Sequence, residues 1–296
     1  MKKTIITCTA LTMILCSCNT NLVENSEPGA KLKVNITNAA STRALIEDSR
    51  LPDGSEVGIT VLESDYTDYD GISAFRNVRF TASTQGSSQV WSGQNDIILS
   101  TTKGTLFAYY PYSGSVTDIT AVPVQATSTH QTDYMYATPI PELNNKNATA
   151  DVTMQHALAA VRLSITRGSF SGTGKVTSVG IKGEAIATSA SLNTITGALS
   201  GFNGKGTEIS PAFEAFTLSG TQEVKDFIVI PTGEEKSLTI RMEIDGYTLE
   251  AQTPAIDFAE GVISNISVAV NSQNIGILGV SVTPWTDIDK GSLEIM

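Results

Sequence analysis

The chain has 296 residues, enough for about two ordinary domains, with 41% hydrophobic residues to build cores and 17% charged ones. A formal net charge of −11 leaves no basic excess to neutralise a phosphate backbone, which excludes nucleic-acid binding as a principal role. Plentiful Gly, Ser and Thr, with no long stretch of 3.6-residue periodicity, favour short strands and turns over helices.

Met1-Lys2-Lys3 and the apolar run Thr4–Leu15 have the form of a secretory signal peptide over residues 1–17. The run is too short to span a bilayer, which takes about 20 apolar residues. Leu15-Cys16-Ser17-Cys18 then resembles a bacterial lipobox: a branched apolar residue, two small residues, and the Cys that becomes lipidated. The small residues are needed because the signal peptidase holds an extended backbone closely. Cys8 and Cys16 fall inside the leader, so Cys18 alone remains, and one lipidated Cys builds neither a disulfide nor a thiolate metal site. The competing reading is an ordinary signal peptide with incidental cysteines. Residues 18–43 form the lipidated propeptide: a polar tether from Asn19 to Ala30, then the first strand.

That strand lies in KLKVNITNAASTRA, Lys31–Ala44. Leu32, Val34 and Ile36 alternate with Lys31, Lys33 and Asn35, the period of a half-buried strand. The polar run after it ends in a lone Arg43 before Ala44. Proteolysis concentrates in such segments, and a cut at Arg43–Ala44 would free the globular part and strip its first strand together. Arg50 is the weaker alternative, since Leu51-Pro52 follows it.

Strand signals continue at Glu56–Leu62, Asn77–Ala82, Gln89–Leu99, Gly104–Tyr112, Val116–Gln125 and Thr132–Ala137. Pro111 belongs at a strand end, because it cannot donate to a ladder. Pro139–Ala150 has the composition of a linker, which gives one unit over residues 44–149 and a second over 150–275. The second opens with a turn around His156 and a buried strand Ala159–Ile165. Lys175–Lys182, Thr196–Leu199, Ala212–Leu218, Asp226–Pro231, a hairpin Ser237–Ala251 over Asp245-Gly246, and Val262–Val270 follow. In the tail, residues 276–296, Leu278, Val280 and Val282 alternate as Leu32, Val34 and Ile36 do. The expectation is an all-β chain of two tandem β-sandwiches with a detached strand at each end.

Sites of chemistry are scarce. GSFSGTGK (Gly168–Lys175) has one residue too many for a P-loop and Val176 where Ser or Thr would hold Mg²⁺, so it reads as a hairpin loop. Asp65, Asp68, Asp70 and Gly71 lack the Glu that completes a calcium loop and read as a solvated turn. His130 and His156 have no Cys or neighbouring His, and no nucleophile elbow is present. No catalytic residue, metal site or cofactor is assigned, and an enzyme is the third-ranked reading.

AYYPYS (108–113), MQHALAAVRLSI (154–165), DFIVIPTG (226–233), GVISNISVAV (261–270) and TPWTDIDKG (283–291), in that order, resemble the fimbrillin family, the Mfa-like pilins of type V pili in Bacteroides-type bacteria. The resemblance implies two transthyretin-like β-sandwich domains, export as a lipoprotein to the outer membrane, and Arg-specific cleavage on the cell surface, with Arg43 at the matching position. It further implies that a neighbouring subunit's C-terminal donor strand, here Leu278, Val280 and Val282, fills the groove left by the lost strand. The partners would be other pilus subunits, and the place the fimbrium at the cell surface, supporting adhesion. The reading from another class is a monomeric surface lipoprotein that binds carbohydrate or another ligand on Trp91, Tyr109, Tyr110, Tyr112 and Trp285, whose flat faces suit sugars.

Overall fold

In a computed structural model, which describes residues 28–38, 50–272 and 274–285, regular structure is strand apart from two 3-10 turns at Tyr69–Gly71 and Ser73–Phe75. The chain is all-β, as its composition predicts.

The first sheet runs in the order Lys33–Asn38, Thr149–His156, Met135–Ala137, Gly104–Tyr110, Glu56–Leu62, Val78–Gln85, Ser88–Gly93. Its inward residues, among them Leu32, Val34, Ile36, Val57, Ile59, Phe80, Leu106, Val152 and Met154, form one hydrophobic cluster. The sheet curls around that cluster until its outer strands, Lys33–Asn38 and Ser88–Gly93, lie side by side without a hydrogen-bonded ladder between them.

Two further sheets enclose a second cluster that includes Val161, Leu163, Ile181, Phe227, Ile240 and Ile266. One has the order Ile186–Ala187, Glu223–Pro231, Ala159–Arg167, Val262–Val270, Ile275–Pro284; the other, Phe216–Thr217, Lys175–Lys182, Thr239–Ile244, Tyr247–Gln252. A small sheet joins the halves: Val122–Gln125 pairs with Ser189–Leu192, which pairs with Leu199–Asn203. The third cluster, with Tyr109, Val124, Leu158, Ile228, Ile263 and Trp285, packs there.

The hairpin over Asp245-Gly246 forms as expected. Asp245 and Gly246 both take positive φ, 49° and 79°, and Ile244 pairs with Tyr247, the two-residue geometry that matches strand twist. Gly104–Tyr110 ends just before Pro111, which follows a cis peptide bond. The expected Gln89–Leu99 strand is two strands, Ser88–Gly93 and Ile98–Leu99, and Thr196 lies in a turn ahead of Leu199–Asn203.

Residues 139–150 differ from the linker that their composition suggested. Ile140–Leu143 pairs with Gly104–Tyr110, and Leu143 and Ala150 are buried. The polar residues that looked like tether make a tight turn, with the Asn147 amide donating to the Asn144 carbonyl and the Lys146 amide to the Asn144 side chain. The next strand, Thr149–His156, belongs to the first sheet, so His156 is a strand residue rather than part of a turn.

Candidate functional site: the two terminal strands

Lys33–Asn38 pairs in parallel with Thr149–His156, from Lys33 opposite Thr149 to Asn38 opposite Met154. Its inward side chains are deeply buried: Leu32 is 3% exposed, Val34 6% and Ile36 4%. At about 1.5–3 kcal/mol each, the three contribute roughly 5–9 kcal/mol of apolar burial to the first core. On the outer face Asn35 donates to Asp151 at 2.8 Å, and Lys31 pairs with Asp96 at 2.6 Å, an exposed contact of small energetic weight. The segment crosses over at Leu32: Ala30–Lys31 pairs antiparallel with Ile98–Leu99 and the Leu32 amide donates to the Ile97 carbonyl at 2.9 Å, while Lys33–Asn38 pairs with Thr149–His156 and only touches Ser88–Gly93.

Cys18, Arg43 and Ala44 lie outside the described residues. Arg50 is exposed and donates to the Ser87 carbonyl at 3.1 Å, but Leu51 beside it is buried. A protease binding the Arg50–Leu51 bond in extended form would have to withdraw Leu51 from the core.

The tail strand, Ile275–Pro284, is an edge strand antiparallel to Val262–Val270. Between Ser267 and Val268 the register shifts, and Leu278 is the extra residue opposite that step. A bulge of this kind re-aims the side chains beyond it. Ile275 is buried, Ile277 and Val280 pack partly against the second core, and Leu278 and Val282 are 65% and 52% exposed. Of the alternating trio, Val280 packs on the core, Leu278 is put out of step by the bulge, and Val282, on Val280's face by register, is exposed nonetheless. The strand also lies beside Tyr247–Gln252 without a ladder. Lys33–Asn38 and Ile275–Pro284 are each laddered along one side only.

The remaining candidates are satisfied internally. In Gly168–Lys175 the Asp245 carboxylate takes up the Thr173 hydroxyl and the Gly174 and Lys175 amides, the latter two at 2.9 Å. These bonds, the Thr173 hydroxyl foremost, hold the Asp245 carboxyl below its usual range and occupy donors that an incoming anion would need. Arg167 fastens the same loop by donating to the Phe170 and Gly172 carbonyls. Asp65, Asp68 and Asp70 turn to different partners, Thr67, Arg76 and Thr102. Of the five aromatics considered for ligand stacking, Trp91, Tyr109 and Trp285 are buried and Tyr110 and Tyr112 half-buried. Tyr109 donates to Asn77 at 2.7 Å, and burial pushes its phenol up to about 12. Trp91, Tyr109 and Trp285 belong to the hydrophobic clusters, and Tyr110 packs against one of them.

One feature escaped the sequence: Trp285 stacks on His156, which contacts Asp133. The Pro284-Trp285 interruption was its only trace, and the partner is not legible there.

Three solved structures share the fold. A candidate cell adhesion protein from Bacteroides ovatus is 16% identical, with a TM-score of 0.68 over 89% of this chain and 99% of its own. One from Bacteroides uniformis is 20% identical, with a TM-score of 0.64 over 87% and 99%. A fimbrial protein from Bacteroides vulgatus is 12% identical, with a TM-score of 0.54 over 86% and 99%. At such identities the likeness concerns the fold alone. No curated protein matches the chain. The profile of a family described as fimbrillin-like matches residues 42–285, and with that coverage the chain belongs to the fimbrillin-like family.

Proposed function

We propose that this chain is a structural subunit of a cell-surface fimbrium, exported as a lipoprotein through Cys18, cut after Arg43, and polymerised by strand exchange in support of adhesion. The observation that carries the reading is the first strand. It supplies Leu32, Val34 and Ile36 to the core, yet its main part, Lys33–Asn38, pairs along one side only, and it lies just upstream of Arg43. Its removal opens a seam with an apolar floor and two strand walls, the arrangement that accepts a strand from another chain. The tail strand of a neighbour, with Leu278, Val280 and Val282, is the donor. Buried aromatics weigh against the ligand-binding alternative, and family membership favours a structural protein over an enzyme.

N-terminal sequencing of surface material tests the maturation step. Assembled subunits should begin at Ala44. Polymers whose subunits begin at Cys18 would contradict the reading, because their seams would still be filled.

A further inference from the structure

The far end of the tail strand is held differently from the rest. Ser281, Val282, Thr283 and Pro284 are all exposed, and then Trp285 is only 5% exposed. Its indole lies flat on the His156 imidazole, with ring centroids 4.5 Å apart and planes 7° from parallel. Its amide donates to the Gly261 carbonyl at 2.8 Å. His156 is fixed in turn, its Nδ1 lying 2.7 Å from a carboxylate oxygen of Asp133. An edge strand with four exposed residues in succession frays unless its end is pinned. Trp285 is the pin. Its seat is the last residue of Thr149–His156, the strand that also carries Lys33–Asn38, so the first strand and the end of the tail strand rest on one strand.

We propose that the Trp285–His156 stack is a latch that keeps the tail strand paired within its own subunit, and that undocking Trp285 is the step that frees the tail for a neighbouring copy. The second half rests on the strand-exchange reading; the first does not. A tail that frayed freely would offer its unpaired edge, with Leu278 and Val282, to any open strand before the proper seam was available.

Hydrogen exchange on the uncut full chain tests the latch without any polymer. In Trp285→Ala, and independently in His156→Gln, the tail amides beyond Leu278 should exchange at least tenfold faster than in the wild type. Those of Ala159–Arg167 should stay unchanged. Trp285→Phe, which keeps a ring on the imidazole, should fall between. If Trp285→Ala also loosens Ala159–Arg167, it has lost its fold, and His156→Gln decides. Wild-type tail exchange in His156→Gln, or in a folded Trp285→Ala, overturns the latch. Subunits cut at Arg43 read the second half: the unlatched variants should assemble several-fold faster. Faster exchange with assembly at the wild-type rate overturns undocking as the step that frees the tail. Faster exchange with no tail-dependent assembly in any form, wild type included, leaves the latch standing and removes strand exchange.

Discussion

A subunit that loses everything up to Asn38 and receives no replacement strand should be less stable by roughly 5–9 kcal/mol, from the lost burial of three apolar side chains at about 1.5–3 kcal/mol each. The ladder to Thr149–His156 adds to this, at about 1 kcal/mol per hydrogen bond. A typical domain has only about 5–15 kcal/mol in total, so the first core of a cut, isolated subunit should be largely open. In denaturant titration the transition of that part should move to near zero denaturant, with dye-accessible apolar surface in buffer alone. A synthetic peptide covering Lys31–Asn38 should restore the transition in trans, because it refills the positions of Leu32, Val34 and Ile36. A cut subunit as stable as the whole chain, indifferent to the peptide, would mean that the strand is not part of the core's closure.

The second large effect concerns the donor side. Leu278→Asp and Val282→Asp place a carboxylate at positions 65% and 52% exposed in the free subunit. Each should therefore change subunit stability by no more than about 0.5 kcal/mol, as most surface substitutions do. In a neighbour's seam the same carboxylate would be buried without a partner, a penalty of several kcal/mol. At about 1.4 kcal/mol per tenfold, subunit affinity should fall at least a hundredfold, and sedimentation should show monomers where the wild type gives long polymers. Val280→Asp is the less informative variant, since Val280 already packs against its own subunit's core and its loss would confound folding with assembly. Polymers of normal length from both Leu278→Asp and Val282→Asp would exclude the tail as donor.

The legible parts of the fold were those that short-range physics controls. Glu56–Leu62, Lys175–Lys182 and Val262–Val270 have the residue bounds that their alternation and flanking turn residues indicate. Asp245-Gly246 forms its turn because few other pairs tolerate two positive φ values in succession. Long-range partners were not legible. Alternation makes Leu32, Val34 and Ile36 a strand but does not reveal that it runs parallel to Thr149–His156, more than a hundred residues onward. Nothing local marks Val122–Gln125 as a partner of Ser189–Leu192 across the two halves.

Composition misled at Pro139–Ala150, because Asn, Lys and Pro serve a tight turn between strands as well as they serve a tether. In the tail, alternation placed Leu278, Val280 and Val282 on one face. The bulge at Leu278 depends on the partner strand's register and takes Leu278 out of step with Val280 and Val282 in the folded subunit. The seam itself was half legible. Its filler could be read from residues 31–36, while its walls, Thr149–His156 and Ser88–Gly93, are the two ends of the six-strand path that remains without Lys33–Asn38.

If subunits exchange strands as proposed, cysteines placed at the joint should record it covalently. Cys8, Cys16 and Cys18 all precede Arg43, so a chain beginning at Ala44 has no cysteine of its own. Thr153 faces outward on the acceptor strand opposite Thr37, and Ser281 and Thr283 face solvent on the tail. Chains carrying Thr153→Cys together with Ser281→Cys or Thr283→Cys should, after assembly and mild oxidation, run as a ladder of disulfide-linked oligomers on non-reducing denaturing gels. With Leu278, Val280 and Val282 in the places of Leu32, Val34 and Ile36, Thr283 takes the place of Thr37 opposite Thr153, and Ser281 comes there after a two-residue slip. The ladder should collapse to monomer on reduction and be absent from chains that carry either cysteine alone. Polymers that form normally yet give no tail-to-acceptor disulfide in either pairing would show that the seam is filled by something other than a neighbour's tail.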